Sequence, residues 1–112
     1  MNLLQETIEC MKENGVDFTD VSFIGSSDGK YGMSCADFCA IADKEYDDGY
    51  GSAEVARDII ISFSDGSIMC RGEYDGSEWW SFRKPFKVPE EYIQIKYIFV
   101  GNGFYDTLDK LN

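Results

Sequence analysis

The sequence contains no histidine. Histidine is the commonest general base near neutral pH, a member of Ser–His and Cys–His catalytic pairs, and a frequent ligand of zinc and haem. Its absence excludes those classes of enzyme and metal protein. An enzyme built from this chain would depend on carboxylates, Lys, Tyr or Cys. Neither the H-E-x-x-H pattern of zinc proteases nor the G-x-x-x-x-G-K-[ST] pattern of phosphate loops occurs.

Basic residues and long apolar runs are scarce. The 112 residues include 21 acidic and 10 basic side chains, which gives a formal charge of −11. This balance argues against direct binding to nucleic-acid phosphates. No apolar run approaches the ~20 residues of a membrane span, and the first fifteen residues lack the features of a signal peptide. We therefore expect a single cytoplasmic domain spanning residues 1–112, with no membrane association.

The four cysteines do not follow a metal-binding or disulfide pattern. Cys35 and Cys39 would share one face of a helix, but the C-x3-C spacing is not that of a zinc knuckle, and no second pair exists. The sequence predicts buried, reduced thiols, no metal and no cofactor.

Hydrophobic periodicity changes from helical to alternating near Asp58. Helical spacing predicts helices over 2–14 and 34–45, and Ser34 would cap the second one. A short strand is expected at 20–24, followed by a turn at Asp28-Gly29. A single helical turn at 53–56 and a short final helix at 104–111 are also expected.

The second half of the chain predicts a sheet. Residues 58–83 alternate and contain Asp65-Gly66 and Asp75-Gly76, which are typical hairpin turns. Residues 91–100 alternate as well and predict a fourth strand. The expected fold class is α+β, with a three- to four-stranded antiparallel sheet (the meander 58–83 plus 91–100) packed against two or three helices.

Aromatic and acidic residues are interleaved in two segments. Because adjacent strand residues point to opposite faces, Trp80 and Phe82 are expected to face the core and Trp79 to face outward. An exposed Trp among carboxylates suits an Arg or Lys of another protein, although Trp79 could equally cover a helix. The partner-binding residues predicted from these segments are Glu45, Tyr46, Asp47, Asp48, Tyr50, Tyr74, Asp75, Glu78 and Trp79.

Two motifs carry a resemblance to a known family. They are M-S-x-x-x-F-x-x-I-A-D-x-E-Y-D-x-G-Y-G at 33–51 and E-Y-D-G-S-E-W-W at 73–80. The segment 25–85 that contains them resembles a small family of uncharacterised proteins in phages and prophages of low-GC Gram-positive bacteria. The resemblance implies a phage protein made in the cytoplasm of a bacterial host, and it implies no reaction, cofactor or catalytic residue.

Three functions remain open at this point. The first is an interaction protein that inhibits a basic host defence or nucleic-acid-binding protein, as anti-CRISPR or antirestriction proteins do, by mimicking DNA phosphates with carboxylates. A toxin-neutralising immunity protein belongs to the same physical class. The second is a module that sequesters a small nucleotide signal, for which Lys30, Arg57, Arg71 and Arg83 would have to converge. The third is a metal-dependent enzyme that uses Asp47, Asp48 and Asp58. We expect the first, a non-enzymatic protein, and the oligomeric state stays open.

Overall fold

The computed structural model describes residues 1–47, 49, 52–86, 88–99 and 107–112. Helices and strands form an α+β fold, as predicted from the change of period. The elements in chain order are α1 (Leu3–Glu13), a 3₁₀ turn (Phe18–Asp20), β1 (Val21–Ser26), β2 (Gly32–Met33), α2 (Cys35–Ala42), β3 (Ile59–Phe63), β4 (Ile68–Tyr74), β5 (Ser77–Arg83) and α3 (Leu108–Leu111).

The five strands form one antiparallel sheet in the order β2-β1-β3-β4-β5. The predicted meander is confirmed, because β3, β4 and β5 pair consecutively. Its two turns contain Gly66, Asp75 and Gly76 at positive φ angles of 88°, 51° and 87°. Consecutive positive φ angles at Asp75-Gly76 match the twist of the strands that they join.

Two sequence predictions are wrong, and two others hold only in part. Residues 91–99 form no strand, and Val100 lies outside the described residues. The sheet is instead extended at its other edge by β1 and β2, which the alternation of 20–24 predicted only in part. Residues 53–56 form no helical turn. The predicted final helix is observed only as α3, and its residues 104–106 lie outside the described part of the chain.

Both longer helices begin at a side-chain cap. Asn2 accepts a hydrogen bond from the backbone N–H of Gln5, and Ser34 accepts one from Asp37. These bonds satisfy backbone donors that a helix start leaves unpaired. Gly15, at φ 73°, follows the first helix, as the Asn14-Gly15 pair predicted. Helix α2 ends at Ala42 rather than near residue 45, because the chain turns there to pair with the N-terminus.

The core lies between one face of the sheet and helices α1 and α2. Its buried apolar residues are Met11, Ile24, Phe38, Ala42, Ile61, Phe63, Met69 and Trp80. Phe82 packs against this cluster and Trp79 is 42% exposed, so the predicted facing of the three aromatic residues of β5 is confirmed. Of the residues that the structure describes, none forms a helix long and apolar enough to cross a membrane.

Candidate functional site: an acidic hairpin end held by a buried arginine

The two acidic and aromatic segments meet at the turn between β4 and β5. Gly49 forms an isolated antiparallel bridge with Ser77, the first residue of β5. Asp47 donates its backbone N–H to the carboxylate of Glu54 at 2.7 Å. Glu54 lines the same shallow depression as Glu73, the penultimate residue of β4. Segments that are distant in sequence are therefore neighbours at this end of the sheet.

We call this region the acidic hairpin end, and define it by the exposed carboxylates of Asp47, Glu54, Glu73 and Asp75. Arg57 lines the same depression as Glu54 and Glu73 and is the one cation among the described residues that line it. Tyr74 is 77% exposed beside it. The arrangement presents negative charge with aromatic surface at its border.

A buried guanidinium lies under the acidic hairpin end. The side chain of Arg71 is 3% exposed and donates to Glu6 at 2.9 Å, to Glu78 at 3.0 Å and to the hydroxyl of Tyr46 at 3.0 Å. Its guanidinium also lies 4.8 Å from the ring centroid of Trp80, within cation–π range. Arg71 thus joins α1, the segment after α2, and strand β5.

Glu78 is not on the surface, and its inclusion in an exposed binding face is wrong. Its side chain is 2% exposed. The carboxylate accepts the backbone N–H groups of Glu54 and Val55 at 2.7 and 3.2 Å, in addition to the bond from Arg71. A buried carboxylate needs such partners because desolvation without them is costly. Glu78 therefore anchors the loop that carries Glu54.

Tyr46 is also part of the interior network and is only half-buried at its ring. Its hydroxyl donates to the carboxylate of Glu6, at 2.7 and 2.8 Å from the two oxygens, and accepts from Arg71. The backbone N–H of Tyr46 donates to the carbonyl of Met1. Tyr46 therefore fixes the start of the acidic loop and offers little polar surface to a partner.

The pKa shifts in this network preserve its charges at neutral pH. Burial alone would raise the pKa of Glu78, but the N–H of Glu54, the guanidinium of Arg71 and the N–H of Val55 outweigh it and lower the pKa. Burial would lower the pKa of Arg71, but its bonds to Glu6, Tyr46 and Glu78 raise it overall. Burial is the largest cause that raises the pKa of Tyr46 to about 12. Tyr46 stays a neutral donor while Glu78 and Arg71 stay charged.

A second buried hydrogen bond joins the same elements. The indole N–H of Trp80 donates to the hydroxyl of Thr7 at 2.8 Å, and that hydroxyl donates to the carbonyl of Leu3. Both Thr7 and Trp80 are buried. This bond fixes helix α1 against β5, so Glu6 is held next to Arg71.

Trp79 lies on the opposite, outer face of the sheet. It pairs across the strands with Gly72, and a Cβ atom on Gly72 would lie 2.6 Å from the indole nitrogen of Trp79. The indole therefore lies flat over a glycine, and its N–H donates to the hydroxyl of Ser81. The cross-strand register places Tyr74, opposite Ser77, on the same face. Both aromatic side chains are thus available beside the acidic hairpin end.

The remaining predicted residues are placed differently. Glu45 is exposed, but its carboxylate pairs with the N-terminal amine of Met1 at 3.0 Å. Asp48 and Tyr50 lie outside the described residues, so the structure does not place them. The predicted set is therefore brought together only in part, with Asp47, Tyr74, Asp75 and Trp79 as the described members exposed at or beside the hairpin end.

The geometry also bears on the two alternative functions, a metal-dependent enzyme and a module that sequesters a nucleotide. Within the described ranges, no group of three or more Asp, Glu, Cys or His residues could hold a metal ion. All four cysteines are free but only half-buried, so the prediction of fully buried thiols is wrong. Arg71 is enclosed by its own partners, so it cannot join Lys30, Arg57 and Arg83 in binding an anionic nucleotide.

The segment Gly-Ser-Ser-Asp-Gly at 25–29 matches the G-x-S-x-G pattern of serine hydrolases in its letters. That pattern acts at a sharp turn from a strand into a helix. Here the segment runs from β1 into the turn that leads to β2, an antiparallel partner. With no histidine in the chain, Ser27 has no general base of the usual kind. The match is therefore not a catalytic site.

Sequence reasoning missed Glu6 and Arg71 as members of the network and Glu54 as part of the acidic hairpin end. One available signal was the alternation already used for Trp80. Because Glu78 lies two residues before Trp80 in the same strand, period two places both on the inner face. A buried carboxylate then requires a cation nearby. Arg71 in the neighbouring strand pairs with Trp80, so its side chain lies on the same inner face. No local pattern indicates Glu6, which reaches Arg71 across 65 positions of sequence.

No protein-family model, curated protein or solved structure matches the chain. The resemblance to phage and prophage proteins therefore stays a prediction that rests on the two motifs alone.

Proposed function

We propose that this protein is a non-enzymatic inhibitor that binds a basic, nucleic-acid-binding protein through its acidic hairpin end. The supporting observation is that Asp47, Glu54, Glu73 and Asp75 lie around one turn, where Glu78, paired with Arg71, anchors the loop that carries Glu54. Carboxylates held in fixed positions can take the place of DNA phosphates in a groove lined by Lys and Arg. Mobile carboxylates would lose more conformational entropy on binding.

The aromatic residues beside the carboxylates support a protein partner. Tyr74 and Trp79 are 77% and 42% exposed. Such side chains are enriched in binding hot spots, and each can stack on an Arg or Lys. We place this activity in the cytoplasm of a bacterial host, with a defence effector as the partner, in line with the resemblance of the two motifs. The alternative nucleotide site lacks comparable support, because Arg71, one of its four basic residues, is buried against Glu6 and Glu78.

The test compares two variants with equal charge change. The first neutralises the acidic hairpin end (Asp47→Asn, Glu73→Gln and Asp75→Asn), and the control neutralises three exposed carboxylates of the helices (Glu9→Gln, Glu13→Gln and Asp37→Asn). Each variant and the wild type serve as bait in bacterial lysate, with and without added duplex DNA. We expect a basic protein that the wild type and the control retain, that the hairpin variant loses, and that duplex DNA displaces.

Affinity for that protein is then measured by calorimetry over a range of salt. The hairpin variant should weaken binding and flatten its salt dependence, because fewer charges are screened. Trp79→Ala should weaken binding by about 30-fold, which corresponds to ~2 kcal/mol for a desolvated aromatic anchor. Equal loss in the hairpin and control variants would mean that overall charge, and not this surface, governs binding. Retention that DNA does not affect would contradict mimicry of phosphates.

A further inference from the structure

An exposed apolar segment follows the sheet. Residues 88–99 contain seven large apolar side chains that are at least 47% exposed. They are Val88, Tyr92, Ile93, Ile95, Tyr97, Ile98 and Phe99. Contiguous apolar surface of this kind marks an interaction site in soluble proteins. The stretch 91–95 also alternates in the manner of a strand, although no strand forms there.

Strand β5 has a free edge that suits such a segment. It is the last strand of the sheet and pairs with β4 on one side. On its other side, among the described residues, only Gly49 pairs with it, at Ser77. The stretch 79–83 thus has backbone groups that no other described segment pairs with, and exposed edges accept additional strands.

Charge determines the direction of this pairing. The end of β5 is basic, at Arg83 and Lys84, whereas its start adjoins the acidic hairpin end. The segment begins with Glu90 and Glu91. An antiparallel arrangement places these carboxylates beside Arg83 and Lys84, and a parallel one places them beside the start of β5, at the acidic hairpin end. Opposite charges across strands stabilise a pair and like charges destabilise it.

The antiparallel register is compatible with the contacts that residues 96–97 and Ser77 already make. If Glu91 lies opposite Arg83, Ile95 lies opposite Trp79, and Ile93 and Ile95 join Trp79 on the outer face of the sheet. The pairing ends before Lys96 and Tyr97, whose backbone N–H groups donate to Asn112. It also ends before Ser77, which Gly49 already occupies.

We propose that residues 91–95 pair with the free edge of β5 in a second copy of this chain, so that two copies exchange these segments reciprocally. In the part of the chain that the structure describes, residues 91–95 pair with no strand, although β5 is the preceding element. The connection contains Pro85 and Pro89, which fix φ near −65° and favour an extended path over a tight return. A stiff connection of this kind favours exchange between copies. This inference does not rest on the proposed function, although both proposals involve the outer face at Trp79.

The test measures the mass of the full chain by light scattering coupled to size exclusion. We expect twice the 12.7 kDa of one chain. Ile95→Pro removes a backbone donor from the segment, and the double change Ile93→Lys with Ile95→Lys replaces its apolar face. Both should give the mass of a monomer, with circular dichroism showing a sheet as in the wild type. The control Ile41→Lys changes an isoleucine on α2 that is 71% exposed, and it should remain dimeric.

Charge exchange tests the direction of the pairing. Arg83→Glu should raise the dimer dissociation constant severalfold, and Glu91→Arg in the same chain should restore it. A monomeric wild type overturns the proposal, whether hydrogen exchange shows residues 91–95 protected by their own β5 or unprotected. A dimer that survives Ile95→Pro, or one that Ile41→Lys also disrupts, would overturn it as well.

Discussion

Arg71 connects three parts of the chain through one buried guanidinium. Its partners are Glu6 on α1, Tyr46 after α2 and Glu78 on β5. Two carboxylates face one guanidinium, so the charged core of the cluster has a formal charge of −1, and removing Arg71 leaves both carboxylates buried without their cation. Because Glu78 also fixes the backbone of Glu54 and Val55, the loop of the acidic hairpin end depends on the same contact.

We expect Arg71→Met to lower the free energy of unfolding by about 3–5 kcal/mol, the usual cost of removing one partner of a buried ion pair. Urea unfolding followed by tryptophan fluorescence measures this change. The control Arg57→Ala removes an exposed arginine and should cost less than ~0.5 kcal/mol. The triple variant Arg71→Met, Glu6→Gln and Glu78→Gln should recover part of the loss, because no buried charge remains. A loss below 1 kcal/mol in Arg71→Met would show that the two carboxylates find other compensation.

At the scale of elements, the hairpin of β1 and β2 depends on a close backbone contact. A Cβ atom on Gly25 would lie 1.9 Å from the carbonyl oxygen of Tyr31 and 2.6 Å from the ring of Phe23. The carbonyl belongs to the backbone and cannot rotate away. Only glycine fits where two strands approach this closely.

Gly25→Ala should therefore destabilise the protein by at least the ~1–3 kcal/mol typical of overpacking. The control is Gly49→Ala, since nothing lies within 4 Å of a Cβ atom at that position. Thermal unfolding measures both, and the control should stay within about 0.5 kcal/mol of the wild type. An unchanged melting temperature in Gly25→Ala would mean that β2 separates from β1 without cost to the rest of the sheet.

The elements also show which parts of the fold are local in origin. The turns at Asp65-Gly66 and Asp75-Gly76 join neighbouring strands, so short-range patterns predicted the meander correctly. The pairing of β1 with β3 brings Ile24 beside Ile61 across 37 positions, and no local pattern specifies it. Residues 91–99 carry the alternation of a strand, but alternation indicates only that a segment suits a sheet, not that an edge is within its reach. Local patterns also do not specify contacts between distant segments. The sequence therefore predicted acidic surface at the hairpin but not the buried contacts that hold it.

At the scale of the whole molecule, the charge of −11 opposes folding and favours the basic partner proposed above. Like charges on a compact protein repel one another, and salt screens this repulsion as the Debye length falls from about 30 Å at 0.01 M to about 3 Å at 1 M. The buried contacts of Arg71 are screened much less, because they exclude solvent. Added salt should therefore stabilise this fold, whereas it weakens the proposed attraction to a basic partner.

We expect the melting temperature to rise by several degrees as NaCl increases from about 0.01 M, with most of the rise complete by roughly 0.3 M, where the Debye length is already below the ~8 Å of physiological salt. For a domain near this size, 1 kcal/mol corresponds to about 4–8 °C. The hairpin variant with Asp47→Asn, Glu73→Gln and Asp75→Asn has three fewer negative charges, so its formal charge is −8 instead of −11. Its melting temperature should rise less with salt. A melting temperature that falls with salt would indicate that surface ion pairs outweigh the net repulsion. If salt raises the melting temperature and weakens partner binding in the same buffers, the loss of binding comes from screening of the interface. Unfolding cannot explain it, because unfolding would lower stability and partner affinity together.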